Sequence, residues 1–123
     1  MKKILFIEDD TVVRENTAEL LELSDFEVIT ASNGKIGVAL AKKEKPDIVV
    51  CDIMMPELDG YGLLKLVRDH NLAIPVLILT SDIQNTTRSE CLALGALDVL
   101  NKPVKKETLV PIIKDALRSA KRP

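Results

Sequence analysis

A chain of 123 residues with 17 basic and 19 acidic groups, a net charge of −2 and 46% hydrophobic residues has room for one domain, residues 1–123. Its core is large enough to fold without disulfides or a structural metal. With no basic block beyond Lys121-Arg122, and with Phe6, Phe26 and Tyr61 as the only aromatics, neither nucleic-acid binding nor attraction to an anionic membrane is expected. Cys51 and Cys91 fit no CxxC or zinc spacing and read as small buried hydrophobes. Met1-Lys2-Lys3 is followed by only four apolar residues before Glu8, too few for a signal peptide or a membrane span. A cytoplasmic protein with reduced thiols is expected.

Five strand patterns alternate with five helical ones. The first strand is predicted over about 3–8, from the apolar run Ile4-Leu5-Phe6-Ile7. A helix follows near Thr11, capped by Asp10 or Thr11, with Val13, Thr17, Leu20 and Leu21 on one face. The second strand, about 27–31, is mixed in polarity and suits a sheet edge. Helix 2 starts after Asn33-Gly34 and presents Ile36, Ala39 and Leu40. The third strand, about 47–51, is a continuous apolar run, as a sheet covered on both faces requires. Helix 3 begins near Asp59-Gly60 and presents Leu63, Leu66 and Val67. The fourth strand, about 76–80, leads to a helix over about 85–94 that ends at Gly95. The fifth strand, about 97–100, precedes a helix presenting Leu109, Ile112, Ile113, Ala116 and Leu117. Pro111 is a flaw in that helix: it either kinks there or starts later than its pattern suggests.

A repeated strand-helix unit predicts an α/β doubly wound parallel sheet with right-handed crossovers. Ligands bind such sheets beyond the carboxyl ends of the strands. Glu8 and Asp9, Asp52, Thr80 and Lys102 all lie at those ends. Alone, Glu8-Asp9-Asp10 would read as a solvated helix start, but that does not explain the other three. Three clustered carboxylates repel one another unless a cation sits among them. Oxygen donors without His or Cys select Mg2+, with Mn2+ possible, over zinc or copper. Lys102 adds a positive charge and Thr80 a hydroxyl donor, so a phosphoryl group has partners on every side. A remaining carboxylate can then attack phosphorus and form an acyl phosphate.

With these residues in place the chain resembles, over its whole length, the receiver domain of bacterial two-component response regulators. The resemblance rests on Ile7-Glu8-Asp9-Asp10 with Arg14, on Cys51-Asp52-Ile53-Met54-Met55-Pro56-Glu57-Leu58-Asp59-Gly60, on Leu79-Thr80-Ser81 and on Asn101-Lys102-Pro103. It implies a flavodoxin-like sheet in the order 2-1-3-4-5. It implies that Asp52 accepts phosphate from a histidine kinase, a histidine phosphotransfer protein or a small phosphodonor. Asp9 and Asp52 would hold Mg2+ directly, with the Met54 carbonyl as third protein ligand and Glu8 acting mainly through water. The spacing to Arg14 sets the acidic pair at Glu8-Asp9 and leaves Asp10 as a cap. Thr80 would turn inward to the phosphate, and Lys102, joined to Pro103 by a cis bond, would bind a phosphoryl oxygen. Met54 and Asp82, two residues after Asp52 and Thr80, would flank attacking water and set the phosphoryl lifetime. Such a domain is no enzyme beyond catalysing its own phosphorylation and dephosphorylation.

Two positions depart from the family pattern. Val99 stands where Tyr or Phe is usual, and Val104 where Phe often follows Lys-Pro. The resemblance implies signalling to a downstream protein through the face of helix 4, strand 5 and helix 5, with a phosphorylation-dependent homodimer as one form. With Val99 the switch is expected to shift to residues 81–87. No output segment follows helix 5, which fits a single-domain regulator and equally the front of a longer protein.

Other readings fit less well. A haloacid-dehalogenase-type phosphohydrolase needs an acid two residues after its nucleophile, where this chain has Met54. A flavin mononucleotide binder would meet its phosphate with the acidic loop Glu8-Asp9-Asp10-Thr11, which repels it. A pseudo-receiver that is never phosphorylated is the remaining alternative, although every site position is filled. His70, the only histidine, reads as a solvated residue at a helix end, and Tyr61 as a partly exposed helix residue.

Overall fold

A computed structural model describes residues 1–81 and 85–120. Within them run β1 (Lys3–Ile7), α1 (Thr11–Leu23), β2 (Glu27–Ala31), α2 (Gly34–Glu44), β3 (Ile48–Asp52), α3 (Gly60–Asp69), β4 (Val76–Thr80), α4 (Asn85–Ala93), β5 (Asp98–Asn101) and α5 (Lys106–Ala120). The strands form one parallel sheet in the order β2-β1-β3-β4-β5. The expected α/β flavodoxin-like architecture and strand order are therefore observed, and strand ends fall within one residue of the predicted ones.

The side-chain period of two in a strand divides the core into two layers. Leu5 and Ile7, Val49 and Cys51, Val76 and Ile78, and Val99 pack with α2, α3 and α4 through Val38, Ala41, Leu63, Leu64, Val67 and Cys91. Ile4 and Phe6, Ile48 and Val50, and Leu77 and Leu79 pack on the other face with α1 and α5 through Leu21, Leu109, Ile113 and Leu117. Burial on both faces explains why β1, β3 and β4 are continuous apolar runs. β2, with one neighbour, keeps exposed Glu27 and Thr30.

The helix starts are fixed by short polar side chains. Asp10 caps α1 by accepting from the Val13 N–H, Asn33 caps α2 through Ile36 and Asp59 caps α3 through Gly62. Thr11 is thus the first helical residue rather than the cap. α4 stops at Ala93 before Gly95, whose φ of 100° suits a residue without Cβ.

One helical face differs from expectation. α2 buries Gly37, Val38 and Ala41, while Ile36 and Ala39 face solvent. The reason is Gly37: a Cβ there would lie 2.3 Å from Ile7 Cδ1, so α2 seats its bare backbone on β1 and turns Ile36 outward. α5 starts at Lys106 and runs through Pro111, so it does not start late. No helix among the described residues is long and apolar enough to cross a membrane.

Candidate functional site

The carboxyl ends of β1, β3 and β5 bring the predicted acids and lysine together, with Thr80 at the adjoining end of β4. Glu8 follows β1 and anchors its backbone by donating from its N–H to the Ala31 carbonyl at 3.0 Å. One turn into α1, Arg14 Nη1 reaches back to the carbonyls of Glu8 at 2.9 Å and Asp9 at 3.4 Å. This clamp holds the acidic pair against the sheet edge. Asp52 closes β3 and is buried, as is Thr80 at the end of β4. The Lys102 N–H donates to the Thr80 carbonyl at 2.8 Å, and Lys102-Pro103 is a cis bond.

Carboxylate oxygens of Glu8, Asp9 and Asp52 lie within 4.8 Å of one another. Lys102 Nζ sits between two of these groups, 2.7 Å from Glu8 Oε1 and 3.1 Å from Asp52 Oδ2. Glu8 Oε2 accepts from the Asp10 N–H at 3.3 Å, so both Glu8 oxygens are engaged. Glu8 thereby positions Lys102 more directly than any outer role would suggest. Burial works against the Lys102 ammonium, but its bonds to Glu8 and Asp52 outweigh that and hold its pKa above the ordinary lysine value. The Asp9 carboxyl is pushed up by a hydrogen bond shared with Glu8, then by burial and by the Glu8 charge. An acid held up by its acidic neighbour marks a cluster short of compensating positive charge.

The donor set fits a hard divalent cation, because it is carboxylate oxygen throughout with no imidazole or thiolate among the three. Cys51, next to Asp52, is fully buried and donates Sγ–H to the Asp52 carbonyl at 3.1 Å. Burial first, and the Asp52 charge second, push its thiol well up, so it is an inert core residue. Met54 points its side chain into solvent, 75% exposed, which leaves only its backbone for the site. Asp82 lies outside the described residues.

Two contributors carried little signal in the sequence. Arg14 serves there as a register marker, and its grip on two carbonyls depends on how α1 leaves the sheet. The seating of Glu8 under Lys102 joins residues 94 positions apart.

The chain is similar to known proteins over nearly its whole length. The family described as response regulator receiver domain matches residues 4–114. Protein PilH of Pseudomonas aeruginosa is 40% identical over 119 residues, covering 95% of this chain and 98% of PilH. The alkaline phosphatase synthesis transcriptional regulatory protein PhoP of Bacillus subtilis is 37% identical over 117 residues, covering 95% of this chain but 49% of PhoP. The chain thus spans nearly all of one relative and about half of the other. Among solved structures, the receiver domain of the Francisella response regulator 1452 superposes with a TM-score of 0.94 at 30% identity, covering 98% of this chain and 100% of that one. The Vibrio cholerae chemotaxis protein CheY4 superposes with a TM-score of 0.89, also at 30% identity, covering 94% of this chain and 98% of that one.

Proposed function

This chain belongs to the family of response regulator receiver domains of two-component systems, and from that premise we propose that residues 1–123 form one receiver whose Asp52 accepts a phosphoryl group in a Mg2+-dependent reaction. The observation that carries this reading is the placement of Lys102 Nζ 3.1 Å from Asp52 Oδ2, beside three carboxylates within 4.8 Å. An oxygen of Asp52 attacks phosphorus of a phosphohistidine or a small phosphodonor. The new bond is P–O, the P–N or P–O bond to the donor breaks, and the leaving group keeps its electron pair and takes a proton from solvent. A phosphoryl group built on Asp52 arises within reach of the Lys102 ammonium, which Glu8 holds in place at 2.7 Å. Asp9, Asp52 and the Met54 carbonyl are the groups assigned to hold the cation, with Glu8 contributing through water. When bound, that cation supplies positive charge to the phosphoryl oxygens. Thr80 is assigned the hydroxyl that meets the phosphoryl group.

The donor is proposed to be a histidine kinase or a histidine phosphotransfer protein. An apolar groove of about 260 Å3 opens beside Lys102, lined by Phe6, Val13, Thr17, Leu79, Pro103 and Val104. A partner delivering phosphate to Asp52 would cover it. The downstream partner is assigned to the face of α4, β5 and α5. Leu92 and Leu97 are 40% and 42% exposed there, which supports a protein partner or a second copy. The test is incubation with acetyl phosphate with and without Mg2+, read by intact mass. One base-labile phosphoryl adduct that disappears in excess chelator is expected. Labelling at equal rate without a divalent cation would overturn the metal-dependent reading, and no labelling under any condition would favour the pseudo-receiver.

A further inference from the structure

The segment between β3 and α3 carries Met54, whose carbonyl is assigned above as a ligand, and its Leu58 lies against the start of α2. Gly34 is buried at the first position of α2. A Cβ there would lie 2.2 Å from the Leu58 carbonyl oxygen and 3.0 Å from the Leu58 carbonyl carbon. Both are backbone atoms, which cannot rotate aside as a side-chain tip can.

The backbone around Leu58 has little freedom to yield. The Leu58 N–H donates to the Pro56 carbonyl at 2.8 Å around Glu57, whose φ is 72°. This is a γ-turn of the rare positive-φ hand, strained for a residue with a side chain. Asp59 then caps α3 through the Gly62 N–H at 2.8 Å. The Gly60 N–H returns to the Ile53 carbonyl at 2.9 Å and closes residues 53–60 into a ring. Gly60 itself leaves no space, since a Cβ there would lie 2.9 Å from Ile53 Cα. One hydrogen-bonded ring thus contains both Leu58 and Met54.

We propose that Gly34 is a positioning residue for the metal site, its bare backbone seating the Leu58 carbonyl so that the ring from Ile53 to Gly60 holds the Met54 carbonyl at the acid cluster. The proposal rests on the receiver reading above, in which that carbonyl is a ligand. Gly34 touches neither metal nor phosphoryl group. Residues that orient metal ligands from behind change affinity by about 10- to 100-fold when altered.

The test is direct binding of Mn2+, read by electron paramagnetic resonance, together with Mg2+ titration calorimetry. Wild type, Gly34→Ala and Val67→Ala are compared, with thermal stability measured alongside. Val67→Ala removes buried atoms from the far end of α3 and reports what loss of stability alone does. Gly34→Ala is expected to weaken both ions on the order of 10-fold or more, while Val67→Ala keeps wild-type affinity. If Gly34→Ala does not fold, Leu58→Ala removes the side-chain tip that seats this residue against Gly62, which loosens the carbonyl held over Gly34 without adding a clash, and the same loss of affinity is expected. Wild-type affinity in a folded Gly34→Ala or Leu58→Ala protein would overturn the proposal while leaving the receiver reading intact. Equal weakening by Val67→Ala would also overturn it, by making the effect one of general loosening. A wild-type protein that binds neither ion would instead remove the receiver reading itself.

Discussion

Among the described residues the cluster of Glu8, Asp9 and Asp52 is ion-paired by Lys102 alone, through Glu8 and Asp52, so without a bound metal it carries excess negative charge. Asp9 shows the strain most clearly, because its carboxyl is held above the ordinary value of 3.8, first by the bond shared with Glu8. An acid whose pKa is raised on folding gives stability that is full below the unfolded value and is lost as pH rises through the folded one. Ionised Asp9 therefore opposes folding at neutral pH. In chelator, Asp9→Asn is expected to melt above wild type at neutral pH, with the gap closing as pH falls towards 3.8 and below. A gap that widens in acid would contradict the charge reading. The neighbouring acid behaves differently. Asp10 Oδ1 accepts from the Val13 N–H at 2.9 Å and serves the helix. Asp10→Ala should cost about 1 kcal/mol of stability with Mg2+ affinity unchanged, whereas Asp9→Asn should lose Mg2+ affinity. Calorimetric titration of the two variants separates them, and equal losses of affinity would mean that the acidic pair is misplaced by one residue.

At the level of elements, β5 carries one of the two departures from the family pattern. Val99 is 3% exposed and packs into the layer formed by α2, α3 and α4. Its branched side chain has few rotamers and no hydroxyl to hide or display. Arg88 ties α4 to β5 instead, with Nη1 2.7 Å from Asp98 Oδ1 and 3.2 Å from the Val99 carbonyl. The expected moving segment, 81–87, includes residues 82–84, which lie outside the described part of the chain. At its described end, amide exchange with and without beryllofluoride, a phosphate mimic, should change more at Thr86 and Thr87 than at Val99. A change centred on Val99 with the start of α4 silent would refute this. α5 offers a second element-scale test. Pro111 sits inside the helix and leaves the Glu107 carbonyl without its usual N–H partner. Proline costs a helix interior about 3 kcal/mol against alanine, offset in part by its stiffening of the unfolded chain. Pro111→Ala should therefore raise stability by about 2 kcal/mol, read by denaturant unfolding. Equal or lower stability would mean that the helix has already adapted around the proline.

At the scale of the whole molecule, the sheet and most of the site are legible in the sequence for one physical reason. A parallel sheet buried on both faces needs uninterrupted apolar strands, so Ile4–Ile7, Ile48–Cys51 and Val76–Leu79 announce themselves, and the polar residues that end them fall at one edge. Asp52, Thr80, Lys102, Glu8 and Asp9 are found that way, and the structure brings all four strand ends together. What stays illegible depends on close approach between distant segments. The apolar residues Ile36 and Ala39 suggest a buried face for α2, but Gly37 lets Ile7 in and turns them outward. Gly34 reads as a helix start, and only the fold shows the Leu58 carbonyl against it. The engagement of Glu8 by Lys102 is likewise a property of packing rather than of any local motif.

The claim on which the rest depends is that Asp52 is the phosphoryl acceptor. It is tested most directly by treating wild type and Asp52→Asn with phosphoramidate and Mg2+ and reading intact mass, with circular dichroism showing that both are folded. Wild type should gain one phosphoryl group and Asp52→Asn none, because the amide has no nucleophilic oxygen to offer and Lys102 loses its charged partner at 3.1 Å. An Asp52→Asn protein labelled as fast and as fully as wild type would contradict the assignment.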